Sequence, residues 1–88
     1  MSLGSFFRDL RKCAFDKGLL SYAHLFQLDF DINYIRRLED GTLAEPRMRD
    51  LNILASLYAD ALNLPRRIVR EAVYTAYCKE FTPSRVQQ

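Results

Sequence analysis

The sequence predicts an all-α chain of five helices, and three observations predict it. From Leu20 to Gly41 it reads LSYAHLFQLDFDINYIRRLEDG, two short helices in tandem interrupted at Asp29-Phe30-Asp31. Elsewhere apolar residues recur at three- and four-residue intervals, the spacing that gathers them on one helical face, and no stretch reads as a strand. Gly18, Gly41, Pro46 and Asn63-Leu64-Pro65 punctuate the chain where those patterns stop.

Helix one is expected from about Ser5 to Phe15, with Phe6, Phe7, Leu10, Cys13 and Ala14 inward and Arg8, Asp9, Arg11 and Lys12 between them. Gly18 is free to take the left-handed conformation that stops it. Met1-Ser2-Leu3 has the form of an expression-vector leader, so nothing is built on Met1 or Ser2. Helix two, roughly Ser21 to Leu28, opens on a serine suited to capping and carries Leu25 and Leu28 one turn apart. Asp31 offers an oxygen to the free N–H groups of helix three, about Ile32 to Glu39. There Ile35 and Leu38 share a face, which leaves Asn33, Tyr34, Arg36 and Arg37 mainly on others. This is a helix-turn-helix layout over residues 20–41.

Thr42 to Glu45 reads as a loop closed by Pro46, whose fixed φ suits the first position of helix four, about Arg47 to Leu62. Met48, Leu51, Leu54, Ala55, Tyr58 and Leu62 give it a buried stripe. Helix five runs from Pro65 to about Lys79 with two adjoining rows, Ile68, Ala72, Thr75 and Val69, Val73, Ala76, and Tyr74 and Tyr77 to either side. Thr82 to Gln88 reads as a polar, frayed tail, and nothing repeats or suggests a linker, so residues 1–88 form a single domain.

At 88 residues and 49% apolar content, the chain can bury roughly 60–65% of its unfolded surface. Thirteen Lys and Arg against eleven Asp and Glu give a net charge of +2, compatible with a polyanionic partner without demanding one. Ten of the thirteen cations are Arg, which suits forked contacts to phosphate or guanine. Cys13, Cys78 and the one histidine have no metal-site spacing, so no metal or cofactor is expected. Two buried free thiols in a reducing cytosol, or a disulfide if the terminal helices pack together, are the readings left open. With no apolar run long enough for a membrane span and no signal peptide, the expectation is a soluble, cytoplasmic protein. His24 has no nucleophile or carboxylate placed near it by a motif, and no catalytic set can be assembled, so an enzyme is not expected.

The ending IRRLEDG, followed by Pro46 and the spaced run MRDLNILASLY, resembles the Cro/C1-type (XRE-like) helix-turn-helix domain, with LGSFFRDLR similar to that family's first helix and GLLS to the lead into its second. The resemblance covers Leu3 to about Leu62. Where the family usually has Gly at the turn and Leu-Ala in helix two, counting back from Glu39 gives Asp29 and His24-Leu25. The resemblance implies a repressor-like domain that binds double-stranded DNA with helix three in the major groove. It assigns base contacts to Ile32, Asn33, Tyr34, Arg36 and Arg37, whose chemistry fits: Asn pairs with adenine, Arg with guanine, and Ile touches a thymine methyl. Candidates for phosphate contact are Ser21, Tyr22, Arg47 and Arg49. It also implies that Glu39 is structural, paired with Arg11 of helix one.

Asp29 works against DNA binding, since a carboxylate repels the phosphate backbone. It keeps a second reading open, a protein-interaction adaptor on the same scaffold; an antitoxin that represses its own operon would look the same as a repressor. Helix five, outside the resemblance, has a wider apolar face than one core needs, which predicts a two-fold homodimer through Val69, Val73 and Tyr77 or their neighbours one position round. Such a dimer would set two recognition helices about 34 Å apart, one turn of DNA.

Overall fold

The computed structural model describes residues 2–81, and those residues form five α-helices with no strand among them. They are α1 (Leu3–Asp16), α2 (Tyr22–Gln27), α3 (Ile32–Asp40), α4 (Met48–Ala61) and α5 (Arg66–Phe81). The tail expected over Thr82 to Gln88 lies outside the described residues, as does Met1.

α1 begins earlier than its apolar pattern suggests because Ser2 caps it. The Ser5 N–H donates to Ser2 Oγ at 3.0 Å while the Ser2 N–H donates to Ser5 Oγ at 3.1 Å, satisfying two donors that a helix start leaves free. The Leu3 N–H donates to Glu80 near the end of α5 and so ties the two terminal helices together. Pro46 is buried but does not start α4, whose first residue is Met48 after Arg47 at the cap position.

One device ends α1, α2, α3 and α4. A residue at positive φ, namely Gly18 (71°), Asp29 (68°), Gly41 (77°) or Asn63 (58°), follows each helix. Its N–H donates to the carbonyl three residues back, and the next N–H reaches five residues back: Leu19 to Ala14, Phe30 to Leu25, Thr42 to Arg37 and Leu64 to Ala59, at 2.8–3.0 Å. Carbonyls left over at the helix end are thereby bonded, and the chain reverses sharply.

The core gathers Leu3 and Phe7 of α1, Leu25 of α2, Ile35 and Leu38 of α3, Leu51, Leu54, Ala55, Tyr58 and Ala59 of α4, and Val69 and Val73 of α5. α1 packs against α3, α4 and α5, and α4 packs along α5. Each large apolar side chain fully withdrawn from water contributes about 1.5–3 kcal/mol, so this cluster is the main source of stability. α2 is short and is held by Leu25, which is wholly buried. Gly4 decides how closely α1 meets α3, because a Cβ there would stand 2.5 Å from the Glu39 carbonyl oxygen and 2.7 Å from that of Leu38.

Two expectations are corrected here. Cys13 is exposed and Cys78 is half-buried, and both are free; the α1 face that turns inward is Leu3, Phe7 and Ala14. On α5 the inward row is Val69 and Val73, at 5% and 0% exposure, with Ala76 and Tyr77 half-buried beside it. Val69 and Val73 are spent on the chain's own core and are not a surface that meets a second copy. The row left outside is Ile68, Ala72 and Thr75.

Candidate functional site

α3 is fixed at both ends and along one face. At its start the Tyr34 N–H donates to Asp31 Oδ1 at 2.7 Å, and at its end Gly41 closes the last turn. Ile35 and Leu38 lock the inner face into the core. Ile32, Asn33, Arg36 and Arg37 are all exposed, with Ile32 at 45%. They occupy the first, second, fifth and sixth positions of the helix, so they form one outward patch across its first two turns.

Tyr34 does not belong to that patch. Its ring packs on Phe30, with centroids 5.4 Å apart, and its hydroxyl is buried with no hydrogen-bond partner among the described residues. Burial, with the Asp50 carboxylate as a second influence, pushes the phenol up to about 12. A hydroxyl enclosed in this way does not reach a base edge, so Tyr34 is corrected from base contact to core margin.

Behind the patch, Arg11 and Glu39 join α1 to α3. Arg11 Nε donates to Glu39 Oε2 at 2.5 Å and Nη2 donates to Oε1 at 3.0 Å, a two-pronged contact whose side chains are only 15% and 8% exposed. The bond to Glu39 raises the guanidinium further above its ordinary value, against the opposing effect of burial. The guanidinium carbon also lies 5.1 Å from the centre of the Phe15 ring and 5.7 Å from that of Tyr22. Tyr22 meets Phe15 edge-on at 4.9 Å, so one cation fastens α1, α2 and α3.

The four residues assigned to phosphate divide into two pairs. Ser21 is occupied with capping: its N–H donates to His24 Nδ1 at 3.1 Å, and its Oγ lies 3.1 Å from the same nitrogen. The imidazole thus fills the place that Glu or Gln takes in a capping box, which gives His24 a structural role no motif announced. Tyr22 packs its ring against Phe15 and Arg11 while the residue stays 37% exposed. Arg47 and Arg49, exposed at the start of α4, carry charges outside any ion pair among the described residues.

Compared with protein-family models, curated proteins and solved structures, the chain matches none. The site therefore stands on its own residues. The fold adds two features that the amino-acid pattern did not specify. Asp29 takes the left-handed turn position, which Asp tolerates better than most residues. Asp60 receives Arg66 Nε at 2.8 Å and Nη2 at 2.5 Å across the α4–α5 corner, which holds the carboxyl below its usual range. Asp at a turn carried a legible signal for the first; the second depends on how the corner folds. Among the described residues, no helix is long and apolar enough to cross a membrane.

Proposed function

We propose that this chain binds double-stranded DNA as a sequence-specific transcriptional regulator of the repressor type, with α2, the Asp29 turn and α3 acting as a Cro/C1-like helix-turn-helix. The observation that carries the reading is the patch of Ile32, Asn33, Arg36 and Arg37 on a helix held rigid by its caps, its core face and the Arg11–Glu39 bond. A helix that presents amide, guanidinium and apolar groups together has the chemistry to read base edges in the major groove. Arg47 and Arg49 would bond phosphate and set the register. Asp29 has a backbone reason to be where it is, so its charge counts less against DNA than it does from sequence alone. An antitoxin that represses its own operon would present the same patch.

The test is binding to random-sequence duplex at 50 and 200 mM salt. If four phosphates are neutralised, counterion release should cost on the order of a hundredfold in affinity over that range. Arg37→Ala should lose about 1–3 kcal/mol on a preferred site, while Arg47→Ala should weaken all sequences alike and flatten the salt slope by about one. No DNA binding at 50 mM salt would sink the reading.

A second reading, a protein-interaction adaptor, is favoured by one feature. Phe26 is 68% exposed, and Leu28 and Ile32 are 44% and 45% exposed, around a turn that also carries Asp29 and Asp31. Apolar and acidic groups together suit a protein surface better than a phosphate backbone. Substituting Phe26→Ser separates the two: it should leave DNA affinity intact and abolish capture of a protein partner.

A further inference from the structure

The outer face of α4 forms the floor of a trough. A cavity of about 900 Å³ lies over Met48 and Asn52, walled by Arg66, Arg67, Arg70 and Tyr74 of α5. A second, of about 400 Å³, continues over Ile53, Ser56 and Leu57 toward Leu28. The two share Asn52, Arg66 and Arg70, so they adjoin along the helix. Its floor residues Met48, Asn52 and Ser56 recur every four positions, which is how a helix builds a straight groove.

The chemistry of the trough is two-sided. Ile53, Leu28 and Tyr74 are among the large apolar side chains the fold leaves exposed, at 40%, 44% and 58%, and all three line it. The α5 wall is cationic. Arg66 is engaged by Asp60, Arg67 stands 3.9 Å from Glu71 in a solvent-exposed pair, and Arg70 has no acidic partner among the described residues. Three arginines against the carboxylates of Asp60 and Glu71 leave the lining with a net positive charge beside a floor of mixed character, in which Met48 and Ile53 supply the apolar surface and Asn52 and Ser56 the polar groups.

We infer that this trough is a docking groove for an acidic amphipathic peptide segment of a partner protein. Its apolar side chains would rest on Met48, Ile53 and Tyr74, and its carboxylates would meet Arg70 and Arg67. Charge complementarity selects this occupant: the segment Thr82 to Gln88 of the chain itself carries an arginine and no carboxylate side chain. The inference is independent of the DNA reading, since Arg67, Arg70 and Tyr74 lie on α5 and none belongs to the α3 patch.

The experiment pans a displayed library of random 16-residue peptides against the whole chain, then measures the selected peptides by fluorescence anisotropy. Selected sequences should be enriched in Asp and Glu beside Leu, Ile or Phe. Each should lose at least tenfold in affinity for the Arg67→Glu/Arg70→Glu variant, which circular dichroism should show to be folded because both positions are exposed. Copies of the peptides with Lys in place of the acids should in turn prefer that variant. Failure to recover any peptide, recovery without acidic enrichment, or unchanged affinity for the variant would overturn the inference. So would a fall in DNA affinity for the variant with peptide binding intact, because the arginines would then serve nucleic acid.

Discussion

Tyr34 shows how one atom alters the reading of a residue. Its hydroxyl is buried without a partner, and an unsatisfied polar group of this kind costs about 1–3 kcal/mol. Tyr34→Phe should therefore raise stability at pH 7 by about 1 kcal/mol in chemical denaturation. The phenol is pushed up to about 12 in the fold against an ordinary 10.0, so above pH 10 the unfolded chain ionises it first and wild-type stability falls as pH rises toward 12. The advantage of the Phe variant should widen over the same interval; a difference independent of pH would show that the phenol is solvated. Arg11 is the opposite case, a largely enclosed charge met by an opposite one. Arg11→Met would strand the Glu39 carboxylate at 8% side-chain exposure and should cost about 3–5 kcal/mol. Adding Glu39→Leu should recover most of the loss, and a single variant as stable as wild type would remove the pair from the account of the fold. Lysine cannot substitute cleanly at position 11, because the contact uses both Nε and Nη2 of a rigid fork.

Among the helices and their junctions, close approach and reversal matter more than helix propensity. Gly4→Ala gains about 1 kcal/mol of propensity in a helix. Its Cβ would meet two backbone carbonyl oxygens at 2.5 and 2.7 Å, and backbone cannot swing aside as a side chain can. A net loss of about 1–3 kcal/mol in thermal or urea unfolding is expected; a gain would mean that α1 and α3 separate freely. At the α2–α3 junction, Asp29→Gly should stabilise the fold by up to about 1 kcal/mol, since glycine takes positive φ without strain, and Asp29→Val should destabilise it. Equal midpoints for the two variants would show that the turn does not need its left-handed residue. The same comparison bears on function, because Asp29→Gly also removes the carboxylate nearest the turn.

For the whole molecule, association turns on the outer row of α5. The core takes Val69 and Val73, so Val73→Glu should unfold the monomer and says nothing about association. Ile68, 52% exposed on the row with Ala72 and Thr75, is the informative position. If two copies pair through that row, Ile68→Glu should turn a dimer into a folded monomer in sedimentation at micromolar concentration. A wild-type monomer under those conditions would remove this face from the interface and leave any pairing on DNA to arise elsewhere.

The sequence alone determined that the chain is helical, where α2 and α3 fall, and that Gly18 and Gly41 end helices, since each depends on residues within a few positions of one another. The Asp31 cap and the inward faces of α3 and α4 were legible for the same reason. Asn63 and Asp29 carried a weaker local signal, because Asn and Asp tolerate the left-handed region without requiring it. Only the tertiary structure decided which of the two rows of α5 is core, as both satisfy the same helical spacing and the choice rests on how α5 lies against α1 and α4. It likewise decided that Gly4 lies against the backbone of α3, that Tyr34 turns its hydroxyl inward, and that Arg66, Arg67 and Arg70 border a groove over α4. Those properties arise where helices distant in sequence meet, and periodicity within one helix does not encode the neighbour it will face.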